Sequence, residues 1–467
     1  MRAAAVVEKA GVRSVALTAT GFDLQAKTIA RAEGLRSCSL AVYPGVIMTD
    51  GPDVFRGKIH DTILPAVLTG LTGEGGEEPA APAPVDIDPA DLSFAPTDVV
   101  CRGDLDEIQD FFEDRLWSDG LPIVPPSLDK VREFVDASGR NGDDVLGVLL
   151  PAHREATVWS IAANAVIAGC RAEYMPLLIA VVECLVDPDF RTCDAGSTPG
   201  WEPLVTVSGP VVERLKFNYG AGAARIGRRA NSTVGRFTRL YMRNVAGLMI
   251  PPGATDQAAF GYNFHVALAE NEAVLREIGW PTLREDEGFS ASVSTVSVQS
   301  VVTISAAMYS AGSTAPQHLN TIAPMFCNTI GPGSCYGQYY HGELYTLLAM
   351  CPGVAAAIAG DGWSKDDVRA YLGEKMRINA AIVNDRAAGS SGAHGFRVEH
   401  TAMGRRVLEA QGIDPDSVRS EDIDMPALVD IDRMAITVAG NPSRNQSRAF
   451  VGNHVQGIRT TRAIKDA

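Results

Sequence analysis

The chain has 467 residues, 46% of them hydrophobic and 21% charged, with a formal net charge of −15. That length accommodates two or three domains and a large core. The acidic balance argues against nucleic acid or an anionic membrane as a partner, and no apolar run approaches the ~18 residues of a membrane span.

The N-terminus, MRAAAVVEKAGVRSVALTATG, has the outline of a signal peptide, but Glu8 and Lys9 interrupt its apolar run. It reads as mature, cytoplasmic protein. VRSVALTA (12–19) predicts a buried strand, FDLQAKTIARAE (22–33) a helix, SCSLAVYP (37–44) a second strand and IHDTILPAVLTGL (59–71) another helix. Together they predict a small α/β domain over 1–71, a strand–helix–strand unit of a parallel sheet. Residues 72–98 hold five prolines and seven acidic residues, the composition of a linker.

A larger mixed α/β domain is expected over 99–467, with a sub-boundary near 285. The fold class is α/β or α+β. Helices are predicted over 104–120, 127–138, 154–169 and 172–187, the last two apolar enough to be core. Asn164 lies in that apolar setting and needs a hydrogen-bond partner, either a backbone carbonyl or a ligand. LVTVSGP (204–210), SVSTVSVQSVVTISAA (292–307) and MAITVAG (434–440) are strand-like. No fixed-period repeat is visible.

Between Arg214 and Thr255 stand eight basic residues and no acid. The segment FNYGAGAARIGRRANSTVGRFTRLYMRNVAG predicts a Gly-rich loop, an NST cap and a helix from about Ser232 to Ala246. Arg236, Arg239 and Arg243 then share one helical face. Glycines admit close backbone approach, a helix N-terminus offers free N–H groups, and arginine adds bidentate donors. Arg225, Arg228, Arg229, Asn231 and Arg236 are therefore candidate ligands for a carboxylate or phosphate. The alternative is an arginine face paired with acids elsewhere or across a subunit interface. The glycine spacing is neither a dinucleotide fingerprint nor a P-loop.

Eight cysteines occur: Cys38, Cys101, Cys170, Cys184, Cys193, Cys327, Cys335 and Cys351. With no CxxC, His-x-His or HExxH spacing, no metal site is expected. Most thiols read as buried and inert. Cys335 stands apart in GPGSCYG (331–337), with Gly333 and Ser334 beside it as further candidate substrate-binding residues and a helix expected from about Gln338. A thiol just before a helix N-terminus is stabilised as thiolate. His341 is the candidate proton carrier, with Glu343 a weaker acid. The other reading is a glycine turn around a buried small residue. The loops 387–400, with His394 and His400, and 439–448, with Asn441, Arg444, Asn445 and Arg448, offer a lid or a cleft wall, or are ordinary surface loops.

The stretches SDGLPIVPPSLDKV, ANAVIAGCRAEYMPLLIAVVECLVDPDF, WEPLVTVSGP and ARIGRRANSTVGRFTRLYMRNVAG, with residues 11–55, resemble the UGSC (seleno)protein family. That family is named for a selenocysteine- or cysteine-Gly-Ser-Cys motif and has a distant likeness to substrate-activating selenoproteins of amino-acid reductases. The resemblance implies thiol-dependent oxidoreductase or reductive-cleavage chemistry. Its signature belongs upstream of residue 11 and is not in this sequence. Gly333-Ser334-Cys335 is preceded by Pro332, so a dithiol cycle is not expected within this chain.

The leading expectation is an enzyme acting on a small anionic metabolite. The arginine segment would bind it, and Cys335 with His341 would supply thiol chemistry. A cysteine-nucleophile hydrolase or lyase is the alternative, and a non-catalytic subunit serving a redox partner is a third. A homo-oligomer is expected. No cofactor is indicated.

Overall fold

The computed structural model describes residues 2–32, 35, 38–45, 47, 50–72, 95–250, 258–261, 266–391 and 393–465. Of the expected acidic linker, 73–94 lie outside the described residues.

Helix α1 (Arg2–Lys9) precedes strand β1 (Val15–Ala19), helix α2 (Asp23–Ala32) and strand β2 (Ser39–Tyr43). The two strands pair in parallel, Val15 opposite Ser39 through Ala19 opposite Tyr43. Helix α3 (Pro52–Lys58) starts with proline at its first turn, where no amide is needed. It runs through a π segment (Ile59–Ile63) into α4 (Leu64–Thr72). The core of this unit is small: Ala41, Tyr43 and Ile63 form one buried cluster, and most of the other buried apolar side chains are alanines.

After residue 95 comes α5 (Leu105–Asp114), opened by a reciprocal cap between Asp104 and Glu107. The Gln109 side chain clamps both backbone groups of Ile123, at 2.9 Å each, which lays the proline-rich connector against α5. Helix α6 (Leu128–Ala137) and the hairpin of β3 (Val145–Leu149) and β4 (Arg154–Thr157) follow. The helix expected from 154 begins later, at Val158. Residues 154–157 pair with β3, and the Thr157 hydroxyl caps the helix by accepting from Ser160 N. Helices α7 (Val158–Ile167) and α8 (Met175–Leu185) are core helices, as their composition predicts.

The remaining elements are β5 (Glu202–Ser208), α9 (Val211–Arg214), α10 (Arg229–Tyr241) with a π turn (Met242–Ala246), β6 (Leu268–Ala269), α11 (Glu272–Glu277) and α12 (Leu283–Asp286). Next come β7 (Thr295–Val301), β8 (Thr303–Ile304), β9 (Met308–Tyr309), α13 (Ala315–His341), β10 (Thr346–Met350), α14 (Pro352–Gly360), α15 (Lys365–Lys375), β11 (Arg377–Asn379), α16 (Ala380–Ser391) and α17 (Ala402–Ala410). The chain ends with β12 (Asp424–Pro426), β13 (Ala435–Val438), β14 (Gln446–Val451) and β15 (Thr460–Ala463). The class is mixed α/β or α+β, with several small sheets.

Two of these sheets have the same plan. One has the order β15-β7-β5-β6 and the other β8-β14-β10-β13. In each, the first two pairings are antiparallel and the last is parallel. The edge strands are exchanged: β8 follows β7 but pairs in the second sheet, and β15 follows β14 but pairs in the first. Val302 N donates to Val451 O and Asn271 N to Val438 O, so the sheets close on each other along both sides. Their shared interior takes one residue from each of six strands: Leu204, Leu268, Val301, Leu347, Ala435 and Phe450. Opposite faces of β5 and β10 pack on separate helical layers, Val205 and Val207 in one and Leu348 and Met350 in the other. Strands on both sides of residue 285 pair in the first sheet, and that residue sits inside α12.

The sequence marks this internal repetition only faintly, in LVTVSGPV (204–211) and LLAMCPGV (347–354).

Candidate functional site

A cavity of about 720 Å³ opens between α5, α6, α7, β4 and the lead-in residues 95–102. Its size is that of a site for a small organic molecule. Helix α7 turns Ser160, Ala163, Asn164 and Ile167 towards it, at i, i+3, i+4 and i+7. Ile108 and Phe112 of α5, Val131 of α6, and Trp117 and Trp159 make the wall mainly apolar. Phe111, Phe112 and Trp117 pack edge to face with ring centroids 5.6–6.1 Å apart, which fixes the aromatic side.

The polar floor is built from α7 and the π turn after α10. Asn164 Nδ2 donates to Ser160 O at 2.9 Å, the backbone-carbonyl partner its apolar helix called for. Asn164 Oδ1 accepts from Asn244 Nδ2 at 2.8 Å, and the same nitrogen donates to Trp117 O at 3.0 Å. Two acceptors around one nitrogen fix the orientation of the Asn244 amide. Ser160 Oγ bonds Thr157 O and Tyr241 OH, at 2.7 and 2.9 Å. Most of these groups satisfy one another, but Asn244 Oδ1 is buried with no hydrogen-bond partner among the described residues.

Arg154 differs from them. Its Nη1 donates to Asn244 O at 2.5 Å, and among the described residues it has no carboxylate partner. The side chain is solvent-accessible yet has dense protein around it, and this desolvation lowers its pKa. A guanidinium on a concave apolar wall has both properties. Asp98 and Glu155 are the acids of the wall, Arg102 is its second cation, and Cys101 is a half-buried thiol on the lead-in segment.

The residues expected to bind an anion lie beside this cavity but are otherwise engaged. Arg236 makes a bidentate pair with Asp119, at 2.7 and 2.8 Å, and also donates to Leu121 O and Pro122 O. Burial would raise the Asp119 carboxyl, but Arg236 outweighs it and holds it below the usual range. Arg239 pairs with Glu202 at 3.5 Å, and Arg243 Nε donates to Leu116 O. The face of α10 thus fastens the 116–122 connector and β5, which is the structural alternative for this segment. Arg229 Nε donates to Gly169 O, while Arg225 and Arg228 are exposed.

The expected NST cap is corrected. The N-cap is Arg228, without a side-chain cap bond, and Asn231 sits inside the first turn. Asn231 is fully buried: it accepts from Asn218 N at 2.7 Å and donates to Asn218 O and Ala267 O at 2.9 Å each. No group on it is left for a ligand.

The GPGSCYG segment is corrected as well. It is not a loop before a helix. Helix α13 runs from Ala315 to His341, and Gly331 bends it through a left-handed residue at φ 61°, with Pro332 next. Gly333, Ser334 and Cys335 are in the second limb, and Cys335 is completely buried in the core under β10 and β13. Its thiol faces Pro426 O at 3.8 Å, and burial pushes its pKa up to about 12. No arginine is among the charges acting on it. The structure therefore does not bring Cys335 to the arginine segment.

His341 ends the same helix, with its ring stacked on His454 at 4.6 Å and edge-on to Tyr340. Of the loop expected over 387–400, 387–391 belong to α16 and 398–400 to a 3-10 turn, with residue 392 outside the described residues. His400 lies 3.9 Å from Asp416.

Arg154, Trp117, Trp159 and Asn244 are site residues that the sequence reading did not single out. The available signal was a lone arginine entering a very apolar helix, in HREATVWSIAANAV. No helix among the described residues is long and apolar enough to cross a membrane, and none of their His, Cys, Asp and Glu form a group of three that could hold a metal ion. No family model, curated protein or solved structure matches the chain.

Proposed function

We propose that the chain is an enzyme acting on a small carboxylate with an apolar body, bound in the cavity against α7. The observation that supports this reading is Arg154, a guanidinium that has no carboxylate partner among the described residues, on a mainly apolar wall whose other charged groups are Asp98, Arg102 and Glu155. An apolar body gains by leaving water against Trp117, Trp159 and Phe112. An anionic head supplies the charge that Arg154 lacks, and a hydrogen bond to a charged group contributes about 1.5–3 kcal/mol. The rigid Asn164–Asn244–Trp117 network holds Arg154 through the Asn244 carbonyl.

The resemblance to the UGSC family adds thiol chemistry to this proposal. The thiol a bound molecule meets is Cys101, on the cavity wall, rather than the buried Cys335. Alkylation of the native protein labels Cys101 well before Cys335, and an occupying ligand slows that labelling. Labelling of Cys335 first would remove the thiol part of the proposal.

Trp117 and Trp159 provide the reporter for the binding part. Titration with 3-phenylpropionate quenches their fluorescence saturably. The matched neutral amide binds at least ~10-fold more weakly, the ratio expected from about 1.4 kcal/mol of charge-assisted bonding. Equal affinity of acid and amide, or no saturable quenching by either, overturns the reading.

A further inference from the structure

The small N-terminal unit is incomplete by itself. It has a two-stranded parallel sheet, whereas parallel sheets are ordinarily covered on both faces and two strands alone are marginal. Leu17, in the middle of β1, is exposed. On α4, Leu64, Leu68 and Leu71 stand at i, i+4 and i+7 on one face, each 46–54% exposed. Four further exposed apolar side chains stand on the body. Leu105 of α5 is one turn before Gln109, which grips Ile123 and so brings Leu121 and Val124 alongside. Val99, on the lead-in to α5, lines the cavity. These four are 38–59% exposed.

We propose that the small unit docks through Leu64, Leu68 and Leu71 onto the patch of Val99, Leu105, Leu121 and Val124 of its own chain. Charge favours this partner. Residues 1–71 carry eight Lys and Arg against six Asp and Glu, while the body over 99–467 carries 33 against 43. The unit is weakly basic and the body acidic, so their charges attract. Chain connection favours it too. Thr72 ends the apolar helix and Ala95 lines the cavity, so 22 residues, reaching at most about 75–80 Å, tie one patch to the other. Such a tether sets an effective concentration of the order of millimolar, which makes a modest apolar contact sufficient. The docking stands independently of what the cavity binds.

Hydrogen exchange on the intact chain tests it, using one variant on each side. Leu68→Asp speeds exchange severalfold across 99–124, and Leu121→Asp speeds it in the small unit, with the oligomeric state of the chain unchanged by either variant. Both side chains are exposed, so neither change removes core. If Leu68→Asp leaves 99–124 unaltered, the docking does not occur. If protection rises with protein concentration alongside a dimer, the occupant is a second copy and the intrachain proposal is overturned.

Discussion

At the scale of single residues, two side chains show how position decides chemistry. Arg154 bonds the Asn244 carbonyl and, among the described residues, pairs with no carboxylate, which is why it is proposed as the anion's partner. Cys335 has the thiol but neither water nor a cation, so burial suppresses ionisation. Cys335→Ser leaves ligand binding unchanged and costs about 1–3 kcal/mol of stability, because a hydroxyl replaces sulfur in a packed core. Urea denaturation checks this; a loss of ligand affinity without destabilisation would contradict it.

The histidine stack gives a pH prediction. Burial, the neighbouring His341 and Arg191 together depress His454 to about 4, below the ordinary value of about 6.5. Asp194 opposes this weakly. The fold therefore favours neutral His454. Its contribution is fully present above about pH 6.5 and is lost as pH falls from there towards 4. His454→Gln flattens the stability profile in that window relative to the unaltered chain. An unchanged slope would show that the His454 titration is not linked to folding.

At the scale of elements, legibility followed how local the determining forces are. Strands β5 and β13 and helices α7 and α8 were readable because their apolar runs meet a layered core directly. The Gly-Pro pair at 331–332 was misread because the same residues that stop a helix also bend one, and only the packing of α13 on its neighbours distinguishes the two. Asn231 looked like a cap by composition, but Asn218 and Ala267 claimed its amide from 13 and 36 residues away. The cavity was least legible, because its walls come from five separate stretches that sequence order does not connect.

Two substitutions probe these elements. At Gly331 an added Cβ would meet nothing, so Gly331→Ala carries only the cost of a backbone at φ 61° and ψ 172°, a region essentially confined to glycine, about 1–3 kcal/mol by thermal denaturation. A loss above about 4 kcal/mol would mean the bend tolerates no side chain for another reason. Asp119→Ala strands Arg236 in a largely buried position and costs about 2–4 kcal/mol, whereas adding Arg236→Ala recovers part of that loss. Strictly additive losses would deny the pair any coupling.

At the scale of the whole molecule, the exchanged strands bind the two similar sheets into one cooperative object. Neither half owns its edge strand, since β8 and β15 each complete the other sheet. This arrangement was invisible in the sequence because strand pairing, rather than residue identity, carries the repetition. The body serves as a rigid frame, and the candidate site lies outside the barrel-like centre, where α7 leaves the hairpin and α10 ends. That placement makes Arg154 replaceable without loss of the core.

The most direct measurement is therefore the titration of 3-phenylpropionate and its amide repeated in Arg154→Leu. The account predicts that affinity for the acid falls ~10- to 100-fold while affinity for the amide stays within about twofold, with unfolding unchanged. An acid that binds Arg154→Leu as tightly as it binds the unaltered chain would contradict the assignment of this guanidinium, and with it the proposed site.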